Sequence, residues 1–169
     1  MKNWQRIIVL LIIIIVCASA AWGYTVLNNK DVKCDEFSIT MPHDYSVLSN
    51  TDHAISIENN KYTKSIFKIQ KLNDSDTSYL LDCNVGDNVN GTQLLSSDVL
   101  NMTSDNFTNF TVQKTLQQYN NQYELYVEFD KDDNRYSITR TYDSETTFNN
   151  SVDNDLPLAI QIANSLEKR

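Results

Sequence analysis

Tyr123-Glu124-Leu125-Tyr126-Val127-Glu128-Phe129-Asp130-Lys131-Asp132-Asp133-Asn134-Arg135-Tyr136-Ser137-Ile138-Thr139-Arg140-Thr141-Tyr142 is the most regular stretch of the chain. Tyr123, Leu125, Val127 and Phe129 occupy every second position without exception, and Tyr136, Ile138 and Tyr142 repeat the pattern with Arg140 out of character. Side chains of an extended backbone alternate between two faces, so this is a half-buried β-strand, a polar hairpin loop over 130–134, and a second strand. The tyrosines on these strands (Tyr123, Tyr126, Tyr136, Tyr142) suit either an aromatic binding face or cross-strand pairs that stabilise the sheet, and the second reading is the simpler.

The same period recurs on both sides of the hairpin. Upstream, Phe110, Val112 and Leu116 alternate, with Lys114 out of character. Phe37, Ile39 and Met41 form an earlier strand closed by Pro42, and His53, Ile55 and Ile57 another. Ile66, Phe67 and Ile69 follow within 64–72; Asn73 to Asp76 is a turn cluster, and Tyr79, Leu81, Cys83 and Val85 alternate after it. The period then changes. Leu95, Val99 and Met102 fall at i, i+4 and i+7, which predicts a short helix over 93–103. A second helix closes the chain, with Asp155 as N-cap, Pro157 in its first turn, and a stripe of Ala159, Ile162, Ala163 and Leu166 joined by Leu156 and Ile160. Lys168 and Arg169 then place positive charge at the negative end of its dipole. The predicted fold class is α+β, an antiparallel sheet of about six to seven strands with two helices packed on it, over residues 33–169.

Residues 1–24 stand apart. Lys2 and Arg6 precede eleven consecutive apolar residues from Ile7 to Cys17, and the apolar character runs on to Trp22. A basic end followed by an apolar core is an export signal, which leaves everything after about residue 25 outside the cytoplasm. Two outcomes remain open. Residues 7–22 would span roughly 24 Å as a helix, somewhat short of the ~30 Å hydrocarbon core, and Trp4, Trp22 and Tyr24 bracket them as interfacial anchors. Ala18-Ser19-Ala20, on the other hand, is a signal-peptidase site, and cleavage near Ala20 would release the domain. The lipid bilayer is the partner implied by the first outcome, and residues 25–32 are then a short linker. Cys17 lacks the small preceding residue of a lipoprotein cysteine and reads as a thiol within an apolar helix.

An exported domain admits two covalent features. Cys34 and Cys83 form an even pair, and a disulfide between them would close a loop of about 50 residues, contributing roughly 3–4 kcal/mol. The competing reading makes Cys83 a small buried hydrophobe on a strand. Six N-x-S/T sequons begin at Asn73, Asn90, Asn101, Asn106, Asn109 and Asn149. They are glycosylation acceptors in a host with the machinery, or chance products of an asparagine-rich composition.

Charge and motif content exclude several functions. The chain carries 22 acidic and 14 basic residues, a net of −8, without the clustered Lys and Arg that nucleic-acid phosphates require. Its three glycines, Gly23, Gly86 and Gly91, are too scattered for a phosphate-cradling loop. His43 and His53, beside Asp44 and Asp52, lack the convergent third and fourth ligands of a zinc site. The acidic run Asp130, Asp132, Asp133 and Asn134 has Arg135 where a calcium loop needs glycine and Thr141 where it needs glutamate, so it reads as a hairpin tip. No G-x-S-x-G elbow is present. The sequence therefore designates no catalytic, cofactor-binding or metal residue.

One resemblance emerges from the ends of the domain. Phe37-Ser38-Ile39 with Pro42 and Tyr45, and the closing Ile162-Ala163-Asn164-Ser165-Leu166, resemble the PsbP-like family of exported α/β/α sandwich proteins, which includes PsbP, DcrB and LpqN types. That resemblance implies a central antiparallel sheet with helices on its faces, and it transfers no catalytic or metal residue to this chain. Since a fold hosts many functions, it implies little about activity. The expected role is a non-enzymatic binding or assembly module at the cell envelope. The alternatives are a pilin-like or surface-layer structural subunit built on the apolar N-terminal segment, and an exported hydrolase whose groups converge only in three dimensions.

Overall fold

Asp132 and Asp133 both adopt positive φ, +51° and +61°, the conformation of a two-residue type I′ turn. Such a turn matches the right-handed twist of the strands it joins, and the short side chain of Asp tolerates the left-handed region. It locks β9 (Gln122–Lys131) to β10 (Asn134–Tyr142) in a register running from Lys131 opposite Asn134 to Tyr123 opposite Tyr142. A computed structural model describes residues 30–61, 65–73, 83–100 and 107–169, and this hairpin lies at the centre of its main sheet.

Around it the chain adds β3 (Tyr45–Asn50), β4 (Ala54–Asn59), β5 (Ile66–Leu72), β6 (Asn88–Val89), β7 (Thr92–Val99) and β8 (Phe107–Gln117). The eight strands follow the order β3-β4-β5-β10-β9-β8-β7-β6, with every neighbour antiparallel. A smaller sheet has the order β1-β2-β11, from β1 (Lys30–Lys33), β2 (Phe37–Met41) and β11 (Glu167–Lys168). One helix, α1 (Glu145–Ser165), links β10 to β11.

The core lies on one face of the large sheet. Ile55, Ile57, Phe67, Ile69, Leu125, Val127, Phe129, Tyr136, Ile138 and Tyr142 are buried there by the two-residue period. Phe148, Val152, Ala159, Ile162 and Ala163 of α1 are buried, as are Phe37, Ile39 and Met41 of β2, and both elements pack in the same core. Phe129 stacks between Phe110 and Tyr136, with ring centroids 5.4 and 5.8 Å away. These contacts exceed simple area burial by about 0.5–1.5 kcal/mol per pair.

This architecture corrects the predicted one. The chain is predominantly β, with two antiparallel sheets and a single helix among the described residues, rather than an α+β sandwich carrying two helices on a sheet of six or seven strands. The segment expected to be helical over 93–103 is strand β7 as far as Val99, while 101–106 lie outside the described residues. Its buried apolar residue is Leu94, opposite Thr115, whereas Val99 is exposed. Three apolar residues at helical spacing are a weak signal, and pairing along the length of β8 outweighs it. A register shift between Leu94 and Ser96 disguises the strand period further.

The closing helix also begins eleven residues earlier than its apparent start, with its N-cap at Ser144 rather than Asp155. The Ser144 Oγ accepts the Thr147 amide N–H at 3.2 Å. Pro157 consequently sits in the helix interior, where it has no N–H to offer the Asp153 carbonyl. Burial of a stripe running from Phe148 through Ala163 offsets this local cost. Replacing Ser144 with alanine is expected to lower the unfolding free energy by about 1 kcal/mol, readable as a shift of the urea midpoint at unchanged slope.

The helix ends differently from expectation too. Lys168 and Arg169 do not cap it: Lys168 pairs with Phe37 in the small sheet, and Arg169 bonds the carbonyls of Glu36 and Cys34. Lys131 caps it instead. As the next member of the Tyr123–Phe129 alternation its side chain leaves β9 on the core side, where Nζ donates to the carbonyls of Ala163, Asn164 and Leu166 at 3.3, 3.1 and 2.5 Å. The ammonium also lies 5.1 Å above the Phe107 ring, and burial pushes its pKa below the ordinary lysine value.

Candidate functional site

The two-residue period that buries Tyr136 and Ile138 sends Arg140 and Tyr142 to the same core side of β10. Along α1, Asp155 falls three residues after Val152 and four before Ala159, which puts it on the helix's buried stripe. Strand cation and helix anion therefore face each other. Arg140 Nε donates to Asp155 Oδ2 at 3.0 Å, and the Tyr142 hydroxyl donates to the same oxygen at 2.9 Å. The Arg140 and Asp155 side chains are only 7% and 13% exposed, so the charges are largely withdrawn from water. The guanidinium lies 4.8 Å from the Tyr142 ring centroid and 5.6 Å from that of Phe67.

Above this pair a cleft of about 630 Å³ opens. Its walls come from the end of β10 and the following Asp143, from Thr147, Ser151 and Asn154 on one face of α1, and from Tyr45, Asn59 and Ser65 at the ends of β3, β4 and the start of β5. Burial, reinforced by the neighbouring Asp155 carboxylate, pushes the Tyr142 phenol well above its ordinary pKa. The phenol is thus a fixed donor rather than a proton shuttle. Neither histidine nor cysteine is among the described residues lining the cleft.

No family model matches this chain, and no curated protein does. The geometry alone therefore carries the functional argument.

The residues singled out in the sequence lie elsewhere. Cys34 is buried in the β1–β2 turn, where its Sγ donates to the Phe37 carbonyl at 3.4 Å, and no disulfide joins it to the half-buried Cys83. Asn73, Asn90, Asn109 and Asn149 are exposed; Asn90 and Asn109 have positive φ, and Asn109 Nδ2 donates to Asp130. Asn101 and Asn106 lie outside the described residues, as do the export segment 1–24 with residues 7–22 and most of the linker 25–32. Among the described residues, no helix is long and apolar enough to cross a membrane. The four tyrosines do not share a face. Tyr123 and Tyr142 oppose one another on the core side with Tyr136, while Tyr126 points the other way and donates to Glu128 at 2.7 Å. The acidic run is the hairpin turn itself, and among the described residues no group of three or more His, Cys, Asp or Glu is placed to hold a metal ion.

His53 belongs to a separate surface cluster. Its Nδ1 lies 2.8 Å from Glu36 Oε2, and Lys71 Nζ lies 3.3 Å from Glu36 Oε1, tying the β1–β2 turn to the large sheet. The hydrogen bond to Glu36 raises the His53 pKa, and its counterpart lowers that of Glu36. The raised His53 value stabilises the fold fully below the ordinary histidine pKa and is lost as pH rises through the folded value. The lowered Glu36 value stabilises it above the ordinary carboxylate pKa and is lost as pH falls through the folded value. The contribution is therefore greatest between the two ordinary values, 4.5 and 6.5. Melting curves of His53→Gln and the unaltered protein are expected to differ most near pH 5.5 and to converge toward pH 9. A constant difference would show that this ion pair does not contribute.

The sequence did not single out the Arg140–Asp155–Tyr142 group or the cleft above it. One signal was present: Arg140 interrupts an otherwise apolar strand face, which a charged residue does at low cost only opposite a counter-charge.

Proposed function

We propose that this protein is a non-enzymatic binding or assembly module on the outer side of a cell envelope, tethered through residues 7–22, with the Arg140–Asp155 cleft as its binding site. The commitment of the Asp155 carboxylate carries this reading. One of its oxygens accepts from both Arg140 and Tyr142, so the acid best placed for proton transfer is held as a structural anion. The neighbouring phenol stays protonated at neutral pH. Such a floor is rigid and charge-balanced, which favours holding a ligand over turning one over. The export signal at residues 2–22 supports the compartment.

The test uses the full-length protein in native membranes, with a photo-crosslinking residue in place of Asn154 on the rim of the cleft, and in place of exposed Thr108 on β8 as the control. An adduct that recurs at position 154 and not at 108 is the expected result. Absence of any reproducible adduct at 154 counts against the cleft as the binding site. The intact mass of the same preparation reports the tether: a full-length mass keeps the domain at the membrane surface, whereas a product beginning near Ala21 makes it a released protein.

A further inference from the structure

We infer that β3 is a self-pairing edge, which joins the same strand of a second copy of this chain antiparallel about a two-fold axis near Val47 and Leu48 and merges two large sheets into one. The inference does not depend on what the cleft binds. β3 ends the large sheet, and β4 is its only strand neighbour among the described residues. Such an edge carries a row of unpaired N–H and C=O groups, and the usual guards against pairing are lysine, proline, other charges or a bulge. β3 has only the last. Its six residues, Tyr-Ser-Val-Leu-Ser-Asn, hold no charge and no proline, and the last five are exposed. Val47 and Leu48 at its centre are 43% and 53% exposed. In a chain of net charge −8, an uncharged row is one that two copies can bring together without repulsion along it.

The bulge selects the occupant. Tyr45, Val47 and Asn50 lie opposite Asn59, Ile57 and Ile55 of β4, whereas Ser46 and Ser49 lie opposite Glu58 and Ser56, with the register break between Val47 and Ser49. Opposite residues share a face, and Ile55 and Ile57 are buried, so Tyr45, Val47 and Asn50 belong to the core side and both serines to the outer side. Counted inward from either end, the order is therefore core side, then outer side, with Val47 and the inserted Leu48 in the middle. A regular six-residue strand lacks this symmetry, because its two ends point to opposite faces. Reversed against itself, β3 sets Tyr45 opposite Asn50, Ser46 opposite Ser49 and Val47 opposite Leu48. The backbone agrees. The Asn60 N–H donates to the Asp44 carbonyl at 2.7 Å and the Thr51 N–H to the Ala54 carbonyl at 2.9 Å, so residues 44 and 51 turn toward β4. By alternation Ser46 and Ser49 do the same, which leaves the Asn50 N–H and the Tyr45 carbonyl directed outward, as the Tyr45–Asn50 pairs of two copies require. Two-fold pairing consumes the edge and stops at two copies. Tyr45 also walls the cleft, so each cleft of the pair borders the joint.

Six residues a side make a small interface, of the class below about 1,200 Å² that forms transient complexes, so a Kd of ~10 μM to 1 mM is expected. Amide exchange of the isotope-labelled full-length protein in detergent reads the pairing. Raising its concentration from ~20 μM to ~1 mM should slow exchange at Val47 and Asn50 and leave Ser46 and Ser49, already turned to β4, unchanged. A photo-crosslinking residue in place of Leu48, in native membranes, should give an adduct of twice the chain mass, and one in place of exposed Thr108 on β8 should not. Val47→Lys brings two ammonium groups together across the axis and should weaken the association about tenfold at unchanged melting temperature, since position 47 is exposed within each copy. Exchange independent of concentration overturns the inference, and so does slowing of all four amides alike, which marks aggregation rather than strand pairing. A doubled-mass adduct that survives Val47→Lys means that the copies meet elsewhere and overturns it too. Capture at position 48 of a different protein, or of the chain's own residues, in place of a second copy does the same.

Discussion

Replacing Arg140 with methionine is expected to lower the unfolding free energy by about 3–5 kcal/mol, the largest single loss this fold should show outside its aromatic core. Methionine fills most of the space of the arginine stem, so the cost arises chiefly from the charge it abandons. Asp155, 13% exposed, would keep the Tyr142 hydroxyl and lose its cation. A buried carboxylate without a counter-charge is far more costly than the pair is stabilising. The double variant Arg140→Met with Asp155→Asn should therefore recover at least half of the loss, because the amide oxygen of asparagine still accepts from Tyr142 and carries no charge. Urea unfolding of the two single variants and the double variant gives the coupling directly. A loss below about 1 kcal/mol for Arg140→Met would mean that the pair is solvated in solution and that the cleft floor is not rigid.

Lys131→Met is expected to cost about 3 kcal/mol by a different route. Three carbonyls at the C-terminal end of α1 lose their shared donor at once, in a place where the lysine itself is only 7% exposed. The Ala163 carbonyl keeps the Leu166 N–H at 3.2 Å, so the cost falls on the Asn164 and Leu166 carbonyls, at about 1–3 kcal/mol for an acceptor stranded away from water, partly recovered as the last turn frays. Fraying has its own signature. Amides of Ala163 to Leu166 should exchange faster with solvent in the variant, while those of β9 retain their protection. Since β11 follows α1 directly and pairs with β2, the loosening should spread to the small sheet. Uniform destabilisation with no change in local exchange would show that Lys131 acts through bulk packing rather than as a cap.

Both substitutions lie in the regular stretch from Tyr123 to Tyr142, and they mark how far a sequence can be read. The alternation of that stretch established two strands and their hairpin, while the loop expected over 130–134 shortens to a two-residue turn, Asp132 and Asp133, with Asp130 and Lys131 paired in β9 and Asn134 in β10. Phe37, Ile39 and Met41, and Ile55 with Ile57, are likewise buried in the strands their period described. Elsewhere the same method misled. Leu95, Val99 and Met102 matched a helical spacing by coincidence, and Pro157 resembled the start of a helix whose true cap, Ser144, carries an ordinary serine signal that the more conspicuous proline concealed.

The sequence by itself determined which way side chains point, because the periods of strand and helix are properties of the local backbone. It placed Arg140 on an apolar face without a reason for being there, and it left Lys131 in the hairpin loop. Only the tertiary structure decided what stands opposite. The partner of Arg140 is 15 residues away on a helix, and those of Lys131 are 32 to 35 residues away at that helix's end. Such meetings depend on where α1 docks across the sheet, and docking is set by the summed burial of Phe148, Val152, Ala159, Ile162 and Ala163, which no local window contains. The cleft is a consequence of that docking: its walls come from β3, β4, β5, β10 and α1 together, and no one of them encloses it alone.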